Sequence, residues 1–154
     1  MKNVVTYVAR IVFGAALSFA AAGAYANETP TTLKGVTVVT ADQVKKMLDS
    51  GTPVIDTRVA NEFAEAHIKG AKSVPYREKS AKAVDFDAAA DSFDIAKLPS
   101  DKAAPVVFYC NAGECWKSYK ASVAASKAGY SKVHWFRGGL PEWEASGLQA
   151  LRQD

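Results

Sequence analysis

The sequence predicts an α/β domain built on a largely parallel sheet with helices over both faces. Three observations carry this reading. Short strand-like runs at 36–39 (VTVV), 53–56 (PVID), 71–74 (AKSV), 106–109 (VVFY) and 133–136 (VHWF), most of them rich in β-branched or aromatic residues, alternate with segments of helical composition. The 106–109 run is apolar throughout, as expected of a strand covered on both sides. The 154 residues, 49% hydrophobic and 23% charged, suffice for one domain with its own core and exclude a disordered chain or a polytopic membrane protein. Two cysteines exclude a disulfide-rich scaffold and an all-cysteine zinc site.

The chain opens on a targeting pattern. Lys2 and Arg10 precede the uncharged run Ile11 to Ala22, and Ala24-Tyr25-Ala26 ends the segment as a small-x-small cleavage site. Residues 1–26 are therefore expected to be a cleaved signal peptide, with no stable membrane insertion afterwards. Its removal leaves 128 residues with 17 basic and 16 acidic side chains, a net of +1. That balance offers no nucleic-acid-binding surface. Both cysteines stay in the exported part, where conditions favour oxidation. Residues 27–35 read as a flexible polar lead-in, and 36–150 as a single domain.

Within the domain, the strand at 36–39 leads to Thr40, an N-cap whose capping box is completed by Gln43. Val44, Met47 and Leu48 share one helical face, and Gly51 stops the helix. The strand at 53–56 ends in the carboxylate of Asp56. Residues 61–67 (NEFAEAH) form one or two helical turns, followed by a strand at 71–74 closed by Pro75. Tyr76 to Leu98 reads as a loop with one helix. After the 106–109 strand, a helix is expected from about Ser118 to Ala128, stopped by Gly129. A strand at 133–136, a turn at Gly138-Gly139 and a short helix over 140–146 complete the domain.

The chemistry concentrates in 106–120 (VVFYCNAGECWKSYK). A buried strand delivers Cys110 to a loop containing Gly113, and a helix follows. Ligands of open α/β sheets sit beyond the carboxyl ends of strands, and a helix N-terminus offers free N–H groups. A loop curling round Cys110 would aim the amides of Ala112 to Trp116 at its sulfur. Such settings lower a thiol pKa from about 8.5 into the range of about 3.5–7.5. Cys110 is thus the candidate nucleophile. A plain structural disulfide with Cys115, five residues on, is the competing reading, which spacing alone does not decide.

These segments resemble the rhodanese-like domains, the sulfurtransferase family. Val54-Ile55-Asp56-Thr57-Arg58, Glu62-Phe63, His67 to Ala71 and Val74-Pro75 resemble its first signature. Cys110 to Gly113 resembles the start of its active-site loop. Gly129-Tyr130, Val133, Gly138-Gly139 and Trp143 resemble its C-terminal signature. The resemblance implies a three-layer fold with a central five-stranded, mainly parallel sheet. It also implies a cysteine that passes sulfane sulfur as a persulfide from a small-molecule donor to a thiol or protein acceptor, with no cofactor.

The active loop departs from the family. Many members read Cys-x-x-Gly-x-Arg before a Ser or Thr that opens the helix. Here Cys115 holds the Arg position, and Trp116 and Lys117 precede Ser118, so the loop reads two residues longer. Phosphatase relatives use Cys-x5-Arg, and that position is Trp116. Without Arg, and with Glu114 present, the loop is a poor dianion cradle. This argues against phosphatase or arsenate reductase chemistry and weakens the case for ordinary thiosulfate turnover, although Lys117 would supply a point charge. The string CNAGECWKSYKA is similar to a variant of exported rhodanese-like proteins with a Cys-Trp pair.

Several other residues bear on the site. Asp56, Arg58 and Glu62 could line its mouth, although an Arg58–Glu62 pair at i, i+4 spacing is the plainer expectation. His67 reads as a buried, hydrogen-bonded histidine and His134 as a sheet-face residue. Trp116 would cap the site or anchor the next helix, and Lys120 would add positive potential. Trp135, Phe136 and Trp143 read as core aromatics. The C-x4-C spacing with distant histidines is not a zinc pattern, so no metal is expected. Three functions remain: a periplasmic or secreted sulfurtransferase using Cys110, a thiol–disulfide or persulfide redox protein using Cys110 with Cys115, and a non-catalytic rhodanese-like binding module.

Overall fold

The computed structural model describes residues 28–152; the expected signal peptide lies outside them. The described residues form seven strands: β1 (Thr37–Val38), β2 (Val54–Asp56), β3 (His67–Ile68), β4 (Lys72–Ser73), β5 (Val106–Tyr109), β6 (Val133–Phe136) and β7 (Ala150–Leu151). They also form helices α1 (Ala41–Asp49), α2 (Ala60–Glu65), α3 (Trp116–Lys127) and α4 (Gly139–Ala145). Five strands make the central sheet in the order β1-β6-β5-β2-β4, with each pairing parallel. The expected α/β architecture is therefore present.

The three layers follow from the two-residue period of β5. Val107 and Tyr109 point to one face, where they meet Val44 of α1 and Leu140 and Trp143 of α4. Val106 and Phe108 point to the other, against Ala121 and Ala125 of α3. Small alanines let α3 lie close to the sheet. Each of the four β5 residues is buried, which explains a strand apolar without alternation. The capping box predicted for α1 forms: Thr40 Oγ1 accepts from the Gln43 amide, and the Thr40 amide donates to Gln43 Oε1 at 2.9 Å.

Four expectations need correction. Residues 61–67 are not all helical; α2 ends at Glu65, and His67–Ile68 pairs antiparallel with Ala150–Leu151, a contact between distant segments that local pattern does not register. Segment 76–98 contains only a 3-10 turn, Ile95–Lys97. Its backbone is held by an isolated antiparallel bridge between Arg77 and Ser92, by tight turns, and by side chains. The Asp91 carboxylate accepts the amides of Lys79 and Ser80, and Asp87 and Asp94 each accept the amide two residues on. Helix α3 starts at Trp116, two residues early, with Cys115 as N-cap, so Trp116 and Lys117 belong to its first turn rather than to a longer loop. Residues 28–30 do not stand away from the domain: Thr29 is buried, and its amide and hydroxyl both donate to the Gly113 carbonyl at 2.8 Å.

Candidate active site

Strand β5 ends in register with β2, Tyr109 opposite Asp56, and the next residue is Cys110. Cys110 is 1% exposed, and its sulfur is bridged to Cys115, with Cα atoms 6.3 Å apart. That separation lies within the range a disulfide needs. The structure thus realises the pairing that spacing left open, and it does so inside the loop expected to hold a nucleophile.

Ser118, in the first turn of α3, faces the Cys110 sulfur with both of its donors. Its hydroxyl lies 3.0 Å from Sγ and its amide 3.4 Å. The amide is one of those that a helix leaves without an intrahelical partner. The hydroxyl oxygen accepts from the Trp135 indole at 2.9 Å. That bond leaves the hydroxyl proton free to point at sulfur, because a bridged Cys110 has none to give. The arrangement expected for the loop amides is different: the Cys115 amide donates to the Ala112 carbonyl at 3.2 Å, and the Cys115 carbonyl itself lies 3.2 Å from Cys110 Sγ. Ala112 takes φ 50°, the turn that folds the loop back on itself.

Behind the loop lies a buried ion pair. Arg58 meets Asp56 at 2.6, 3.0 and 3.1 Å and donates to the Ala66 carbonyl at 2.6 Å. Asp56, not Glu62, is therefore its partner, because two oxygens at the strand end face the guanidinium directly. Glu62 accepts instead from the Asn111 amide, and Arg58 Nη1 donates to Asn111 Oδ1 at 3.4 Å. Burial works against the Arg58 charge, but the Asp56 hydrogen bond and field outweigh it, so its pKa rises above the ordinary value. Burial and then the Asp56 charge push the Tyr109 phenol up, keeping it a neutral acceptor for the Ile68 amide. Asp56 and Arg58 thus form the rear support of the loop and do not line an open mouth.

Lys120 is also corrected. Fully buried, it contacts Glu78 at 2.9 Å and Asp91 at 3.6 Å and donates to Ser80. Its charge is spent internally and adds no positive potential to the loop. Trp116 is buried edge-on against Tyr119, with ring centroids 5.1 Å apart, and anchors the start of α3. His67 is buried as expected, donating from Nδ1 to the Phe63 carbonyl at 2.8 Å and stacking on that ring.

Three contacts escaped the sequence reading. Gly139 takes φ 58°, and a Cβ there would collide with the Cys110 carbonyl and lie 2.9 Å from the Ala112 nitrogen, so only glycine lets this turn seat the loop. Leu140 then donates its amide to the Cys110 carbonyl at 3.0 Å. Arg137 clamps the segment before the domain, reaching the Thr29 carbonyl at 2.9 Å, the Pro30 carbonyl at 3.1 Å and Glu28 at 3.2 Å. The Gly-Gly pair was a visible signal; nothing local marks Thr29 or Arg137.

An open cleft of about 260 Å³ runs beside Cys115, lined by Glu78, Lys82, Glu114 and Lys117 among others. Two carboxylates oppose two ammonium groups, so the mouth carries no net charge. A larger cavity of about 510 Å³ at the β4 edge, beside Val74, Arg77 and Phe93, has no cysteine in its lining, and the cysteine chemistry belongs to the smaller one. Cys115 is half-buried on the cleft, whereas Cys110 lies beneath it.

The model of the rhodanese-like domain matches residues 40–146. The probable adenylyltransferase/sulfurtransferase MoeZ of Mycobacterium tuberculosis is 33% identical over 123 residues, which are 79% of this chain and 28% of MoeZ, so the chain spans under a third of that relative. The mitochondrial protein HIGH ARSENIC CONTENT 1 of Arabidopsis thaliana is 28% identical over 77% of this chain and 68% of its own length. The polysulfide-sulfur transferase of Wolinella succinogenes shares the fold, with a TM-score of 0.55 at 17% identity over 78% of this chain and 81% of that one. The family model covers four of the five strands of the central sheet, the Cys110 loop and the Gly138-Gly139 turn that holds it, and on that ground this chain belongs to the rhodanese-like domain family.

Proposed function

We propose that this chain is an exported sulfurtransferase that carries sulfane sulfur as a persulfide on Cys110. The observation that supports this most is the convergence of the Ser118 hydroxyl and amide on the Cys110 sulfur at a strand end. In the reduced protein, both donors would stabilise the Cys110 thiolate and the charged persulfide, as an anion hole does. The thiolate attacks the donor's sulfane sulfur, the donor's sulfur–sulfur bond breaks, and its remainder leaves with the electron pair. MoeZ and the Wolinella protein carry sulfurtransferase names, which supports the same class of reaction. The pattern of residues 1–26 supports export. The mouth without net charge and the missing loop Arg favour an organic persulfide donor over dianionic thiosulfate.

Fully reduced protein treated with such a donor should gain 32 Da on Cys110, by peptide mass spectrometry, and Cys110→Ser should gain none. Absence of the adduct with thiosulfate, a polysulfide and a low-molecular-weight persulfide alike would sink the proposal. The Cys110–Cys115 bridge favours a second reading, in which the pair is itself redox-active and the bridged form is the resting, inactive state.

A further inference from the structure

The two sulfurs of the bridge are not equivalent. Cys110 is buried under the loop and faces the two Ser118 donors, whereas Cys115 is half-buried on the cleft. An acceptor as bulky as a protein thiol meets Cys115 first. The bridge itself shows that Cys115 Sγ reaches Cys110 Sγ within the folded loop. We propose that Cys115 discharges the Cys110 persulfide internally, so that the protein releases sulfane sulfur as hydrosulfide and is then reset by an external dithiol. This rests on the Cys110 persulfide proposed above.

The balance is as follows. The Cys115 thiolate attacks Cys110 Sγ, the inner sulfur of Cys110–S–SH. A Cys110–Cys115 bond forms, the outer sulfur–sulfur bond breaks, and the outer sulfur leaves with the electron pair and its proton as HS⁻. The sulfane sulfur is reduced by two electrons and the two cysteines are oxidised by two, giving the bridged state of this structure. Recovery starts when one thiolate of a small or protein dithiol attacks Cys115 Sγ from the cleft. Cys110 leaves as a thiolate, held by Ser118, and a well-stabilised leaving thiolate speeds this exchange. The reductant's second thiol then attacks the mixed disulfide, freeing Cys115 and closing the reductant's own disulfide.

The test is a single turnover without added thiol. Reduced wild-type protein, Cys115→Ser and Cys115→Ala are pulsed with a low-molecular-weight persulfide, desalted, and followed by intact mass and sulfide assay. The wild type should release close to one equivalent of sulfide per chain while losing both free thiols. The Cys115 variants should keep the 32 Da adduct and release at least tenfold less. An adduct that persists on the wild type with Cys115 still free, or equal release by the variants, would overturn this inference and leave the persulfide proposal standing. Absence of an adduct in all three would overturn both.

Discussion

Two buried charge clusters lie near the Cys110 loop, and they are built in opposite ways. Asp56 and Arg58 are two residues apart at one strand end and meet through three short contacts, with the Ala66 carbonyl as a further acceptor. Lys120 draws its partners from 29 or more positions away, on Ser80, Glu78 and Asp91 of an irregular segment. The first cluster is sealed by its own strand and turn. The second has one member, Glu78, on the cleft beside Cys115. A local pair is fixed as soon as its strand forms; a distant one exists only once the whole domain has closed.

Breaking the local pair should therefore cost most. Arg58→Ala strands a fully buried Asp56 carboxylate, and removal of one partner of a buried pair costs about 3–5 kcal/mol. Urea denaturation of the reduced and the bridged protein should show the loss in both. Lys120→Met should cost less, about 2 kcal/mol. Asp91 keeps its bonds from Tyr76, Lys79 and Ser80, and the Glu78 side chain is 11% exposed where Asp56 is fully buried, so its carboxylate has room to turn toward the cleft. Should Lys120→Met prove the costlier of the two, the proposed difference between a sealed and a cleft-side cluster is wrong.

Acid should sharpen the contrast. Burial alone would raise the Asp91 carboxyl, but hydrogen bonds from Ser80, Lys79 and Tyr76 outweigh it and hold the group well below the ordinary carboxylate range. A carboxyl whose folded pKa is depressed contributes stability that is present above its unfolded value and is lost as pH falls towards the folded one. The Asp91 contribution should thus fade only below about pH 4. Asp91→Asn should be less stable than the wild type at neutral pH and show a shallower decline below that point, measured by denaturation between pH 2 and 6. Tyr76 runs the other way. Burial, then its bond to Asp91, raises its phenol, so its contribution is full below about pH 10 and is lost as pH rises beyond.

The same contrast explains what could be read from the sequence. The Thr40–Gln43 box, the buried strand over 106–109 and the placement of Cys110 at its end are local patterns, and the fold displays each of them. The Asp56–Arg58 pair was in plain view, yet helical spacing suggested Glu62 because the i, i+4 rule assumes a helix, and Arg58 precedes α2. Lys120 read as an exposed charge because its counterions lie on a segment without periodicity. The start of α3 was missed because a Cys N-cap carries no recognised capping side chain. Thr29, Arg137 and the bond from Trp135 to Ser118 join residues 17 to 108 positions apart, where no local pattern operates.

Asn111 is where the local cluster touches the loop, and its substitutions test that link with the smallest expected effect. Its carbonyl oxygen accepts from Arg58 and its amide donates to Glu62. Asn111→Ala removes both bonds at a partly buried position and should cost about 1 kcal/mol. Asn111→Asp keeps an acceptor for Arg58 but sets a second carboxylate against Glu62, and like charges at that range disfavour the folded state. The aspartate variant should therefore be less stable than the alanine variant at pH 7. The order should close or reverse as pH falls through about 4, where one carboxylate takes up a proton and becomes a donor to the other. If the aspartate variant matches the wild type at pH 7, the Asn111–Glu62 bond does not couple the Asp56–Arg58 pair to the loop, and Arg58 alone would have to hold Asn111.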